Sequence, residues 1–222
     1  MNFRLIIQYD GTEFHGWQAQ EGRRTVQGEL ERALSLIEGG AAPVYGAGRT
    51  DAGVHAEAQV ASVRLERAIS PAKLRDAVNG NTGRDLRVFE VEEAADEFHA
   101  RFDAKEKTYC YRVFNERFAS PFWLRYAHHE TRRLDAGAMR EAAALFLGQH
   151  DWTAFSAAQT DVRSRVRTVT RLEVTEHEDR RGRGRLVEVR VSAEGFLRYM
   201  VRSVAGALLA AGRGEADEAA IL

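Results

Sequence analysis

Cysteine is nearly absent: Cys110 stands alone, so no internal disulfide can form and the chain suits a reducing compartment. Long apolar runs are missing too. Met1-Asn2-Phe3-Arg4-Leu5-Ile6-Ile7 is too brief for a signal peptide or a membrane span, so a soluble cytoplasmic protein without a membrane partner is expected. Neither sign of charge prevails: 29% of the 222 residues are charged and the formal net charge is -1. That total argues neither for nor against a nucleic-acid partner, because a local patch matters more than the sum. Cys110 has no neighbouring cysteine and His128-His129 belongs to no ligand pattern, which argues against zinc. A P-loop, a dinucleotide-binding fingerprint and a G-x-S-x-G nucleophile elbow are all missing, and Gly11 to Gly16 lacks the fingerprint spacing. No metal is expected. What remains is carboxylate chemistry on a substrate held by stacking and charge.

The most informative stretch present is Gly46-Ala47-Gly48-Arg49-Thr50-Asp51-Ala52-Gly53-Val54-His55-Ala56. It has no periodic face to bury, and its glycines allow tight turns or close approach. Charged groups on such a loop are where chemistry is often placed. Asp51 is the candidate catalytic group, with Arg49 two residues away to hold its charge. An aspartate in a turn more commonly accepts backbone N–H bonds, and an arginine there is commonly solvated. Lining a pocket, an ionised Asp51 needs a partner to offset several kcal/mol of desolvation, and Arg49 supplies one. His55 reads as a phosphate contact or a packed loop residue, since nothing nearby in sequence orients its ring.

With 44% hydrophobic residues the chain can bury a sizeable core, as one large domain or two small ones. Phe3 to Tyr9 alternates as a strand, and Asp10-Gly11-Thr12 ends it. Thr25 caps a helix through Leu36 with a stripe of Val26, Leu30, Ala33, Leu34 and Ile37. Strands are expected over Ala58–Leu65 and Leu86–Val91. Between them Ser70-Pro71 reads as N-cap and first helical residue, and Asn79-Gly80 as the break. In the second half Thr108–Phe114 reads as a strand, and Asp135 caps a helix holding Met139, Ala142, Ala143 and Phe146 that Gly148 terminates. Val166–Val174 and Leu186–Val191 read as strands around polar Glu176–Arg185, consistent with a long hairpin. Leu197, Met200, Val201, Val204 and Leu208 form a last helical stripe. The expected class is α+β: two halves, 1–100 with the aspartate loop and 101–222, with mostly antiparallel sheet, helices on one face and the other open to a large ligand.

Tyr109 and Tyr111 share one face of their strand, opposite Cys110, Arg112 and Phe114. They read as ordinary sheet tyrosines or as a platform beneath a planar substrate such as a nucleobase. Arg101, just upstream, is a candidate phosphate contact. From Asp161 through Arg190 nine arginines stand against six acids, a surplus of three. Arg165, Arg167 and Arg171 partly share one strand face and Val166, Thr168, Thr170 and Leu172 the other, as a charged sheet surface or a phosphate track. Arg198 and Arg202 are expected on one face of the last helix, with Arg202 able to reach into a pocket.

Five segments, in order, then identify a relationship. They are Tyr9-Asp10-Gly11-Thr12 with Phe14, Gly16, Trp17 and Gln18; Gly46 through His55 with Gln59; and Phe98-His99-Ala100-Arg101-Phe102 through Tyr109 and Tyr111. Gly148 to Phe155 and Gly195 to Arg202 complete the set. From Phe3 to about residue 214 the chain closely resembles the TruA family of tRNA pseudouridine synthases. The resemblance implies a cofactor-free isomerisation of uridine to pseudouridine, usually at positions 38, 39 and 40 of the tRNA anticodon stem-loop. It implies that Asp51 is the catalytic aspartate, Arg49 assists base flipping, Tyr109 stacks on the target base and Arg202 pairs with Asp51. Arg101 and His55 join them as substrate-binding residues. It further implies a homodimer whose positively charged RNA-binding cleft holds tRNA across both subunits.

Two departures stand out. The family pattern runs past a helix like Glu218–Leu222 into a proline-containing loop and a final apolar strand that the sequence does not contain, so either the sequence is incomplete or the chain ends early. Asn81-Thr82-Gly83-Arg84 replaces a leucine-proline pattern. The rival readings are an RNA-binding or chaperoning protein in which Asp51 merely shapes a loop, and an RNA glycosidase that admits water to C1′.

Overall fold

The computed structural model describes residues 1–158, 162 and 164–221. The chain divides into two compact units, Met1–Ala104 and Lys105–Leu222, each with its own sheet and apolar core.

In the first unit β1 (Asn2–Tyr9) lies between β3 (Ala56–Arg64) and β4 (Leu86–Ala94), and β2 (Val44–Gly46) pairs outside β3, all antiparallel. Phe3, Leu5 and Ile7 are fully buried on one face, as their alternation demands. Two helices supply that face with its partners. The Thr25 hydroxyl accepts from Gly28 N at 3.2 Å and starts α1 (Val26–Glu38), which runs two residues beyond the expected Leu36. Pro71 opens α2 (Pro71–Gly80), but Ser70 makes no side-chain cap bond. The helix ends at Asn79-Gly80 as expected, and the Asn79 amide, which donates to Val88 O and accepts from Val88 N, both at 2.8 Å, fastens that end to β4.

The second unit holds β5 (Lys107–Asn115), β6 (His128–Glu130), β7 (Gly148–Asp151), β8 (Val166–Asp179) and β9 (Gly184–Ala193) in the order β6-β5-β9-β8-β7. Only β5 and β6 among these pair in parallel. The helices α3 (Ala136–Ala144) and α4 (Met200–Gly212) share a core with Val113, Val187, Val189 and Val191. The class is α+β with mostly antiparallel sheet.

Several details differ from expectation. Asp135 does cap α3, accepting from Gly137 N and Ala138 N at 2.7 and 3.1 Å. The helix closes at Leu145, however, so Phe146 lies outside it and Gly148 opens β7 instead of terminating α3. The polar segment Glu176–Arg185 is largely paired strand, because ladder bonds need only backbone and Arg185 meets Glu176 across it at 2.7 Å. A bulge between Val169 and Arg171 reverses the alternation of β8, so Val169, Leu172 and Val174 are the buried side chains and Val166 is exposed. Arg198 precedes α4. Tyr199, at the helix N-cap, has φ of 66°, and this left-handed turn means Arg198 and Arg202 do not continue one helical face. Asp161 and Arg163 of the arginine-rich stretch, and Leu222, lie outside the described residues.

Candidate active site

Asp51 lies in the loop joining β2 to β3, and the N-terminal segment 9–17 holds that loop from beneath. Ala47 N donates to Val60 O at 2.8 Å and Gln59 Nε2 to Gly48 O at 2.8 Å, fixing the loop's entry. Thr50 is the central anchor: its carbonyl accepts from Trp17 N at 3.0 Å, and its hydroxyl lies 2.8 Å from the Tyr9 hydroxyl. Beyond it Val54 N donates to Asp51 O at 3.1 Å across a tight turn, with Gly53 at φ 79° where an L side chain would be strained. Gly53 N in turn donates to Phe14 O at 3.3 Å. Thr50 is half-buried while the flanking Arg49 and Asp51 are exposed. The loop's backbone is therefore fastened while the two charged residues are exposed.

His55 is placed by residues far from it in sequence. Its Nδ1 accepts from Gly11 N at 3.1 Å and lies 3.1 Å from Asp10 Oδ1. The same Asp10 oxygen accepts from Thr12 N at 3.0 Å. This makes His55 a packed loop residue that joins the aspartate loop to the first motif. Gly11 must approach closely: a Cβ there would stand 2.1 Å from Val54 O.

Arg24 supports this motif and was not singled out by the sequence. Its guanidinium lies 4.1 Å over the Phe14 ring and grips Asp85 with two bonds of 2.6 and 2.8 Å. Asp10 N donates to Asp85 O at 2.9 Å, so the clamp reaches the Asp10 turn. A Cβ at Gly83 would meet the same clamp, at 2.7 Å from Asp85 Oδ1 and 2.8 Å from Arg24 Nη2. The Arg24 bonds hold the Asp85 carboxyl below the usual carboxylate range. A depressed folded value stabilises above the unfolded value and loses that stabilisation as pH falls through the folded one. Asp85→Asn is expected to cost about 1–2 kcal/mol at neutral pH, discounted for partial exposure. Urea denaturation at pH 7 and at successively lower pH checks this; the gap between the two proteins should narrow as pH falls below the ordinary carboxylate range.

In the second unit Tyr109 and Tyr111 point to the helix-bearing face, opposite the buried Val191 and Val189, and not to the open face. Their parity with Val113 dictates this. Tyr109 is half-buried and meets Phe196 edge-to-face at 5.0 Å. Burial raises the Tyr111 hydroxyl, opposed by the charge of Arg202, which places Arg202 in electrostatic reach of that ring. The helix-free face instead carries Arg112, bonded to Glu188 at 2.8 Å, and Arg190, 3.2 Å from the same carboxylate. Arg171 and Arg185 are also ion-paired, to Glu173 and Glu176. Arg165 and Arg167 donate to carbonyls of Ala158, Ser164 and Val166, and so hold their own loop. Of the described arginines in the arginine-rich stretch, Arg171, Arg185 and Arg190 thus face carboxylates, while Arg165 and Arg167 are engaged by backbone carbonyls.

Among the described residues no three His, Cys, Asp or Glu side chains cluster as metal ligands, and no helix is long and apolar enough to cross a membrane.

A family model described as tRNA pseudouridine synthase matches residues 5–103 and 142–222, which include all of the aspartate loop and its support. The chain belongs to the tRNA pseudouridine synthase family. It is 41% identical over 221 residues to tRNA pseudouridine synthase A 2 of Bacillus cereus, covering 99% of this chain and 88% of that one. It is 43% identical over 216 residues to tRNA pseudouridine synthase A of Sinorhizobium medicae, covering 96% and 85%. The enzyme of that name from Brucella ovis is 43% identical over 215 residues, covering 96% and 83%. These relatives form an isomerase family. Of the candidate site residues, the chain carries Arg49, Asp51, His55 and Arg101 in its first unit and Tyr109 and Arg202 in its second.

Proposed function

We propose that the chain isomerises uridine to pseudouridine at positions 38, 39 and 40 of the tRNA anticodon stem-loop, with Asp51 as the catalytic nucleophile or base. The observation that carries the reading is the family match across a loop whose backbone is held by bonds to the first motif while Asp51 is exposed. The target uridine must first leave its stack, at a cost of a few kcal/mol that an enclosing site offsets. Arg49 takes up the vacated space or the displaced phosphate. The C1′–N1 bond then breaks and its electron pair stays on the uracil. Asp51 serves by adding to the sugar or the ring, or by taking a sugar proton to give a glycal. The uracil turns and bonds to C1′ through C5; the C5 proton departs and N1 gains one, so the formula is unchanged.

In this reading Tyr109 stacks on the uracil, Arg101 and Arg202 bind the RNA, and His55 contributes by fixing the loop against Gly11. The enzyme works as a cytoplasmic homodimer. A second reading, RNA glycosidase, differs only in that water captures C1′. Incubating uridine-labelled tRNA with the protein and analysing nucleosides and free base separates them. Pseudouridine at 38–40 is expected; free uracil, or neither product, contradicts the proposal. For Tyr109, Phe should keep the stacking and retain turnover within about threefold, whereas Leu should lose about tenfold or more. Equal loss in both, measured under single-turnover conditions, would transfer the role from the ring to the hydroxyl.

A further inference from the structure

A row of aromatic rings stands on the helix-free face of the first sheet, immediately before the aspartate loop. Tyr45 lies on edge strand β2, one residue ahead of Gly46, and is 51% exposed. Its ring centroid is 4.9 Å from that of His99, tilted 41°; His99 is 4.4 Å from Phe102, tilted 33°. Phe102 is 74% exposed, and the Arg101 guanidinium lies 5.8 Å from its centroid.

The segment that presents these rings is fixed. Ala100 N donates to the buried Ser62 hydroxyl at 3.1 Å, and Ser62 is the residue opposite Tyr45 in the ladder. Asn2 Nδ2 donates to Phe98 O at 2.9 Å and to Ala95 O at 2.7 Å. His99 N donates to Asp103 Oδ2 at 2.7 Å, Phe102 N to His99 O at 3.0 Å, and Arg101 N to His99 Nδ1 at 3.1 Å. A phenylalanine three-quarters exposed on a turn bonded this thoroughly contributes little to the core. With Tyr45 and His99 beside it, its ring belongs to a contiguous aromatic patch, the kind of surface that marks a binding site.

We propose that Tyr45, His99 and Phe102 form a stacking ledge for an unpaired base of the RNA substrate, with Arg101 reaching that nucleotide's phosphate. The proposal rests on the reading that the substrate is RNA. Three rings and one guanidinium are far smaller than the about 800 Å² that each partner of a stable protein interface buries. They match the face of a base or two, and the adjoining cation complements a phosphate. Aromatic faces accept every base, so the ledge would hold RNA without choosing sequence. Because Tyr45 and the Asp51 loop leave the same strand end, a base on the ledge would set the register of the neighbouring nucleotide at the loop.

Phe102→Ala and Tyr45→Ala should each weaken binding of an anticodon stem-loop RNA, and raise its KM, about 5- to 50-fold, with kcat within about twofold. Phe102→Trp should restore binding, and the emission it adds should be quenched by RNA. Unchanged affinity in both alanine variants, or failure of tryptophan to restore it, would overturn the proposal. So would conversion of a dimer to a monomer by Phe102→Ala with RNA affinity intact, which would assign the ledge to a second copy. Wild-type protein that binds RNA through the ledge but makes no pseudouridine would sink the proposed activity and leave the ledge standing.

Discussion

Asp51→Asn should reduce single-turnover formation of pseudouridine by about a thousandfold or more while leaving RNA affinity within about twofold. Asparagine keeps the shape of the side chain but has neither the charge nor the basicity that each route through Asp51 requires. The fold should be little affected, because the side chain is exposed and the loop's backbone is held by bonds that the substitution leaves in place, from Trp17 N to Thr50 O, Val54 N to Asp51 O and Gly53 N to Phe14 O. Purified variant protein, checked for unchanged melting temperature and RNA binding, gives a clean reading. Turnover retained within tenfold would remove Asp51 from the chemistry and revive the view that it shapes a loop.

Gly11→Ala should be nearly as damaging by a different route. The added methyl would lie 2.1 Å from Val54 O and 2.5 Å from Val54 C, and both are backbone atoms that cannot swing aside. The loop and the Asp10 turn must separate, breaking the Gly11 N to His55 bond and shifting Asp51. A misplacement of about 1 Å in a catalytic group can cost about a hundredfold, and that loss in kcat is expected. Stability should fall by about 2–4 kcal/mol, read from urea denaturation. Gly53→Ala is the control: its Cβ meets nothing within 4 Å, so it bears only the strain of φ 79°, about 1 kcal/mol. If Gly11→Ala behaved like Gly53→Ala, the loop would not depend on its seat.

Much of this was legible in the chain because single residues state it. Phe3, Leu5 and Ile7 alternate and are buried; Thr25 and Asp135 cap the helices they precede. Asp51 and Arg49 announced themselves by standing in a glycine-rich stretch with no apolar face. What stayed hidden depends on contacts distant in sequence. Asn79-Gly80 does end α2, but the two bonds by which Asn79 ties that end to Val88 carry no signal in the sequence. The bulge at residue 170 inverts which side chains of β8 are buried, and no local pattern encodes one extra residue. His55 lacked an orienting neighbour because its partners are Asp10 and Gly11, 44 or more positions earlier. Arg24 was unremarkable for the same reason: its grip on Asp85 spans 61 residues. Tyr45 gives no signal in the sequence, because its ring neighbours His99 and Phe102 stand 54 or more positions later.

The decisive experiment is the structure of this protein holding an anticodon stem-loop with its target uridine out of the stack. An Asp51 carboxylate oxygen about 3–3.5 Å from the sugar–base junction of that nucleotide is expected, the approach that a reacting pair requires. A carboxylate remote from the junction, with the loop still bonded to Tyr9, Trp17 and Phe14 so that no closing movement delivers it, would contradict the assignment of Asp51.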